Sequence, residues 1–553
     1  MTAGIIPGFI GGNYTICPEQ FGAVGDGVTN NYTAFTDLIS YFNSYVGSRS
    51  VPGVLELTAG AEYYLGTSVT FPSDMTIRTT GGAYGGCFKP NTGVVVTIQG
   101  NIDCGKTRLF NLSSGGTSEI TMAQKVRMEW WGTSSGTNDC LEHAINSCCP
   151  GCTILLSGVY IIGAPNTIST TNNKGLAIIG EGGPNLGGTT NLPVLYIANN
   201  QSAGGAITVS GGGSANLFLD GFKIYGNKAN QTVNARPVTI SGAGTSDIYV
   251  GHLVIEDAKD IGFYISSGEN IFIDELDLYN NGSYGYEAQE ENTDNIFINK
   301  IHAFNSGITG VWGLNRTNAN QIVSHDNTSN GITSAISLYA LINEAIVYKN
   351  TSVGFAFTST AHDTYIGKLI TYNNGTRGVS TGATSNNNRV GTVIGFDNQG
   401  TPTQDQVVYA VATSGSNNSV GEWCHDGNMV ARSFHVTATG YNQILLGQPA
   451  FQSVSYAATL TPDPGEGYAI KVGTLTGNLT VNNTSQYKRY TGCKMQFLFI
   501  QDATGGRSIT WDSAYKTTWS NSGSVKDLYA SIEFTYDGTY WLQTDYVPWH
   551  PVT

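Results

Sequence analysis

The stretch GFYISSGENIFIDELDLYNNGSYGYEAQEENTDNIFINKIHAFNSGITGVW, from Gly262 to Trp312, carries one short pattern three times. A glycine followed by an apolar residue stands at Gly262-Phe263, Gly285-Tyr286 and Gly310-Val311. It returns downstream at Gly331-Ile332, Gly354-Phe355 and Gly378-Val379, so that successive glycines lie 23, 25, 21, 23 and 24 residues apart. Asp257, Asn280, Asn305, Asp326 and Asn373 each precede their glycine by five residues, and in the fifth copy Asn350 precedes it by four. Between these marks run alternating apolar segments such as NIFIDELDL from Asn270 and NIFINKIHAF from Asn295.

Alternation of apolar and polar residues specifies strands, and Asn or Asp at a fixed offset from Gly specifies a turn. Short strands with turns in register predict a parallel solenoid in which Asn side chains stack at the turns and strands of successive coils pair ~4.8 Å apart. A leucine-rich repeat would need its leucine spacing and a helical half, and a propeller blade would need a period of ~40 residues. The expected fold is therefore all-β, a right-handed parallel β-helix. A length of 553 residues suits a solenoid, because each coil buries its core only against its neighbours.

Charged residues make up only 12% of the chain, while 71 Gly and 30 Tyr stand among many Asn, Ser and Thr. That mixture suits tight turns and a surface that hydrogen-bonds without charge. A net charge of −14 argues against a phosphate-tracking groove, so nucleic acid is not an expected partner. MTAGIIPGFIGG lacks the features of a secretory signal, and no apolar run is long enough to cross a membrane. The nine cysteines are scattered apart from Cys148, Cys149 and Cys152, which lack a second pair at zinc spacing. They are read as a chance cluster near a helix end, in a protein that folds in a reducing cytoplasm.

FGAVGDGVTNNYTAFTDLISYF, from Phe21, and GVLELTAGAEYYL, from Gly53, resemble the lead-in of the pectate-lyase-like β-helix superfamily, common in phage tailspikes and capsular polysaccharide depolymerases. Asn30 and Asn31 stand where acids are usual, and Thr58-Ala59 where proline is common. MEWWGTSSGTNDCLEHAINSC, from Met128, with GCTILLSGVYII, from Gly151, reads as a weaker second copy. Each copy is expected to form a turn, an amphipathic helix and a strand pair that plug the open end of a solenoid, with Asp26 and Asp139 as turn and cap groups. The periodicity stops near Gly400. QDATGGRSITW and YDGTYW, further on, resemble a C-terminal module of phage tail fibres, expected here as a β-sandwich. The expected boundaries are 1–16 for an N-terminal extension, 17–127 for the cap and leading coils, 128–419 for the main helix, 420–455 for a connector and 456–553 for the C-terminal domain. The resemblance implies a homotrimer in the virion tail, made in the host cytoplasm and acting at the bacterial surface, without membrane insertion. With about 16 residues ahead of the lead-in, attachment through an adaptor or other virion protein is expected.

In the glycine register, Phe263, Tyr286, Val311, Ile332, Phe355 and Val379 point inward, and Tyr264, Glu287, Trp312, Thr333, Ala356 and Ser380 point outward. An acid between large aromatics suits a sugar groove, with Tyr264 and Trp312 as platforms and Glu287 as general acid. The competing reading is a face packed against another subunit. Gln289-Glu290-Glu291-Asn292-Thr293-Asp294 is the densest acidic patch and falls in the longest coil. Glu290, Glu291 or Asp294 is the expected partner carboxylate, although such a cluster also suits calcium or a solvated turn. A second column, Val254, Asp277, His302, Val323, Val347 and Ile370, would bring Asp277 beside His302, either as an oriented base or as a surface ion pair. Arg316 would hold a sugar carboxylate, and the loop from Lys228 to Arg236 would wall the site.

These residues predict an endo-acting glycoside hydrolase that degrades a bacterial capsular or surface polysaccharide, needing no cofactor. Its two carboxylates would stand ~6.5–9.5 Å apart if inverting or ~5–5.5 Å apart if retaining. A polysaccharide lyase using His302 or a tyrosine on a uronate, and a non-catalytic glycan receptor-binding protein, are the alternatives.

Overall fold

The computed structural model describes residues 9–10, 13–46, 53–79, 85–132, 140–163, 166–169, 175–182, 192–200, 205–289, 293–335, 339–358, 361–381, 385, 387–396, 398, 408–410, 419–424, 434–436, 444–445, 451–462, 469–484, 494–519, 526 and 528–551. They divide into two compact units, Met1–His302 and Ala303–Thr553.

In the first unit parallel pairing starts at Asn13–Ile16, which joins Gly53–Leu57, then Met75–Thr79 and Ile102–Asp103. Helix α1 (Tyr32–Tyr41) lays Ala34, Phe35 and Leu38 against these coils. The Phe35 ring sits 5.5, 5.7 and 5.6 Å from those of Tyr63, Phe71 and Phe88. Helix α2 (Cys140–Ser147) buries Leu141, Ala144 and Ile145 in the same way, as the duplicated lead-in predicts. The duplication extends to partly buried polar contacts. The Tyr63 hydroxyl donates to Glu19, while the Tyr160 hydroxyl accepts from the Ser157 amide and Ser157 donates to Glu129. The Asp26 carboxylate accepts from the Val28 and Thr29 amides and the Thr29 hydroxyl, a turn group as expected. Asp139 lies outside the described residues.

The main coils form a right-handed parallel β-helix. In the first unit Thr153–Leu156, Ala177–Gly180, Ser214–Asp220, Ser246–Glu256 and Gly268–Tyr279 pair in sequence. Asn166–Ser169, Ile207–Ser210, Val238–Ile240, Phe263–Ile265 and Tyr286–Ala288 pair in a second sheet. The second unit has the same plan, with Thr317–His325 pairing with Leu341–Tyr348 and Val311–Trp312 with Ile332–Ser334. The inward column is buried as expected, with Phe263 and Tyr286 stacked 6.1 Å apart.

The repeat glycine and the asparagine act together, one residue away from the expected register. Asp257, Asn280, Asn305, Asp326 and Asn373 adopt left-handed backbone conformations, with φ between 53° and 59°, and so make the turn. The stacked amides belong to the next residue. Asn327 donates to the Asn350 carboxamide oxygen at 2.8 Å, Asn350 to Asn374 at 2.9 Å, and Asn374 to Asn398 at 2.7 Å, all buried. A Cβ at Gly331 would stand 2.6 Å from the Asn350 amide and 2.7 Å from the Gly354 carbonyl oxygen, so the glycine leaves room for the ladder. The fifth copy explains itself in these terms: Lys349 takes the left-handed position and Asn350 the ladder position. The second outward column shifts with it, because Val323 pairs with Ile346, and Val347 points into the core.

Sequence periodicity ends near Gly400, but parallel pairing does not. Ser419–Cys424 pairs with Arg389–Phe396, and Ile444–Leu445 pairs with Ser419–Cys424. Backbone ladders need no particular side chain, so the coils outlast their sequence markers. The C-terminal domain is a two-sheet sandwich. Six strands running from Phe451–Val454 to Trp541–Pro551 face three shorter ones, Thr459–Leu460, Leu479–Val481 and Ile509–Trp511, across a core that includes Phe497, Phe499, Phe534 and Trp541. Its first strands pair in parallel and its last two long pairings are antiparallel.

Asn350→Ala removes the middle of the buried ladder, taking the acceptor from the Asn327 backbone and side-chain amides and the side-chain donor from the Asn374 oxygen. A loss of roughly 1–3 kcal/mol is expected, read as a lower unfolding temperature of the full chain at fixed scan rate. An unchanged unfolding temperature contradicts the ladder's role.

Candidate functional site

The outward column does not form an open platform. Glu287 is only 5% exposed and Tyr264 7%, paired directly across adjacent coils. What covers them is the end of the loop that interrupts the pattern. The Arg236 guanidinium lies 4.0 Å over the Tyr264 ring and donates from Nε to Asp260 at 2.8 Å. Burial pushes the Glu287 carboxyl upward, the Arg236 charge and a Gln289 hydrogen bond pull it back, and Asp260 adds to the rise. Burial likewise raises the phenols of Tyr264 and Tyr284, and both feel the charge of Glu287. Two carboxylates, Glu287 and Asp260, thus act on one guanidinium that is stacked on Tyr264. A protonated acid can give up its proton here and leave an anion that Arg236 stabilises.

Of the acidic patch, Glu290 and Glu291 lie outside the described residues. On either side of them the Thr293 hydroxyl donates to the Gln289 carbonyl oxygen at 2.9 Å, and Asp294 accepts from the Asn295 amide at 2.9 Å. Trp312 and Arg316 belong to the second unit. Trp312 is half-buried and pairs with Thr333, while Arg316 takes a left-handed turn position (φ 45°) just before the strand Thr317–His325. The outward column contains neither Arg236 nor Asp260. Only the loop position hinted at Arg236.

Asp277 and His302 do meet, with Nδ1 of His302 3.5 Å from Oδ1 of Asp277. The other carboxylate oxygen is 3.2 Å from Nε2 of His252, a residue that column reasoning missed because it approaches diagonally from the neighbouring coil. Burial opposes ionisation of Asp277, but the hydrogen bonds of both imidazoles outweigh it and hold the carboxyl well below its ordinary range. The Asp277 hydrogen bond raises His252. On the same sheet Lys300 pairs with Glu275 at 2.6 Å, and Lys223 pairs with Glu256 beside Tyr279.

An aromatic file also runs along this sheet. Phe218 and Tyr249 stack 4.9 Å apart, Tyr249 pairs in register with Phe272, and Phe272 stacks on Phe297 at 5.0 Å. The rings occupy one another's faces and turn their edges outward, with Tyr249, Phe272 and Phe297 each about two-fifths exposed.

Asp277→Asn tests the two-imidazole site. A depressed carboxyl contributes stability above ~4 and loses it as pH falls through its lowered value; a raised imidazole contributes below ~6.5 and loses it as pH rises. The variant is therefore expected to be less stable by roughly 1–3 kcal/mol, most so between about pH 4 and 6.5, in thermal unfolding across pH. A difference that does not vary with pH contradicts the charge-assisted pairing.

Residues 460–539, within the two-sheet domain, match the family described as putative phage tail fibre C-terminal domain. No curated protein matches the chain in sequence. Among solved structures the chain is similar to the A-module of mannuronan C-5 epimerase AlgE6 of Azotobacter vinelandii, at 12% identity over 90% of this chain and 97% of that one, with a TM-score of 0.37. It is similar to the Dettilon tailspike protein gp208 at 10% identity over 74% of this chain and 66% of that one, with a TM-score of 0.31. It is also similar to the enzymatically active domain of bacteriophage CBA120 tailspike protein 2, at 10% identity over 79% and 47%, with a TM-score of 0.21. The C-terminal segment is thus similar to a phage tail-fibre domain, carried behind a parallel β-helix.

Proposed function

We propose that the protein is a phage tail component that hydrolyses a bacterial capsular or surface polysaccharide within the chain, with Glu287 as general acid. The observation that carries this reading is the buried Glu287 and the half-buried Asp260 beside the Arg236–Tyr264 stack. Burial favours the protonated form of Glu287 that an acid needs at neutral pH. On protonating the glycosidic oxygen, Glu287 becomes an anion facing Arg236, which is held in place by Asp260 and the ring beneath it. The second carboxylate, either Asp260 or one of Glu290, Glu291 and Asp294, would activate water or attack the sugar. The tail-fibre match at 460–539 supports the phage setting. A homotrimer fits the outward edges of the Phe218–Phe297 file, which suit packing against a second copy better than the face of a sugar.

A lyase reading rests on Asp277, which orients two imidazoles with the Lys300 charge in reach, a suitable setting for abstracting a proton from a uronate. A non-catalytic glycan-binding protein would use the same residues without turnover.

Glu287→Gln is expected to lower the release of new reducing ends on the order of 10²–10⁴-fold while polysaccharide binding persists. Unchanged cleavage by this variant excludes Glu287 as the acid. Products that absorb in the ultraviolet as unsaturated uronates establish the lyase, and binding without any product by the native protein establishes the receptor.

A further inference from the structure

The turn Cys148-Cys149-Pro150-Gly151-Cys152 links helix α2 to the strand Thr153–Leu156 and takes no part in the glycan chemistry. It is anchored at both ends on the preceding coil: the Cys149 amide donates to the Ile120 carbonyl oxygen at 3.0 Å and the Thr153 amide to that of Gln124 at 3.0 Å. The Cys152 amide donates to the Cys149 carbonyl oxygen at 3.3 Å, and Gly151 has φ 86°. With Pro150 ahead of that glycine, this is a type II turn, whose end residues lie within ~7 Å of each other. A disulfide spans ~4.4–6.8 Å between Cα atoms, so the backbone is already set for one. The sulfurs of Cys149 and Cys152 are 3.7 Å apart, and both are free thiols. Among the described residues no group of His, Cys, Asp and Glu is arranged to hold a metal ion.

We infer that Cys149 and Cys152 form a redox-active dithiol that closes to a disulfide by exchange with small disulfides. The two sulfurs differ in access and in charge. Cys152 is fully buried, whereas Cys149 is partly exposed. The Cys148 thiol hydrogen-bonds to Cys152 and, against the effect of burial, brings its thiol down to about 6, while burial and the Cys152 charge push Cys149 up to about 11. Cys149 is therefore the sulfur that an external disulfide meets, and Cys152 the resolving thiolate. Cys149 gives its proton to solvent and attacks one sulfur of the small disulfide; that S–S bond breaks and one small thiolate leaves. The Cys152 thiolate then attacks the Cys149 sulfur and expels the second small thiolate. In sum, two protein thiols and one small disulfide become one protein disulfide and two small thiols, with the protein oxidised by two electrons. The bond would fasten the turn between the capping helix and the coil that follows, without moving the backbone.

The test uses the full chain, reduced and then incubated with oxidised glutathione near neutral pH, acid-quenched, alkylated under denaturing conditions and peptide-mapped. The expected result is a Cys149–Cys152 disulfide, with both positions lost to alkylation. The Cys152→Ser variant is expected to hold a persistent glutathione adduct on Cys149, and Cys149→Ser to leave Cys152 unmodified. A stable adduct on Cys149 in the native chain, a bond that uses Cys148 instead, or two fully alkylated cysteines overturns the inference. So does a Cys152→Ser chain that takes up no glutathione at Cys149.

Discussion

Burying an amide is costly unless its hydrogen bonds are made, and in the second unit that cost is met by a ladder of asparagines running from coil to coil. From Asn327 to Asn398 each side chain donates to the next across coils, at 2.7 to 2.9 Å. Such a ladder works only if every coil returns its asparagine to the same place, and only if the neighbouring glycine leaves the space open. A coil that gains or loses residues must therefore absorb the change elsewhere. In the first unit the longest coil is tied by the Thr293 hydroxyl to the Gln289 carbonyl oxygen, two residues from Glu287. The rigid interior is what lets the outer turns and loops vary and carry chemistry.

Much of the fold was legible because its causes are local. Alternation gave the strands, the Gly-Asn offset gave the turns, and the repeated lead-in gave two capping helices. Sequence spacing puts the ladder one residue early, since in three copies the left-handed Asn or Asp is followed directly by the buried Asn. Lys349-Asn350 in the fifth copy, Asp257-Ala258 in the first and Asn305-Ser306 in the third are the places where sequence separates the two. Past Gly400 the pairing persists without markers, because main-chain hydrogen bonds leave no trace in residue choice.

The site was legible only as far as register reaches. Register put Glu287 beside Tyr264 and Asp277 beside His302, and both pairs are found. It could not supply Arg236 or Asp260, which come from a loop and a turn outside the column, nor His252, which reaches across columns. It also could not show that Tyr264 is covered. A strand pattern specifies which way a side chain points, but what lies over it depends on chain distant in sequence. That covering changes the chemistry. A solvated glutamate would titrate as an ordinary carboxyl, whereas beneath Arg236 its ionisation is set by burial on one side and a fixed cation on the other.

The most direct measurement of the central claim is a structure of the Glu287→Gln chain bound to an oligosaccharide of the polysaccharide that it recognises. The account predicts a glycosidic oxygen within hydrogen-bond distance of the residue 287 side chain, with the sugar beside Arg236 and Asp260. An oligosaccharide seated at Asp277 or along the Phe218–Phe297 file, with the Arg236 cluster empty, would contradict it.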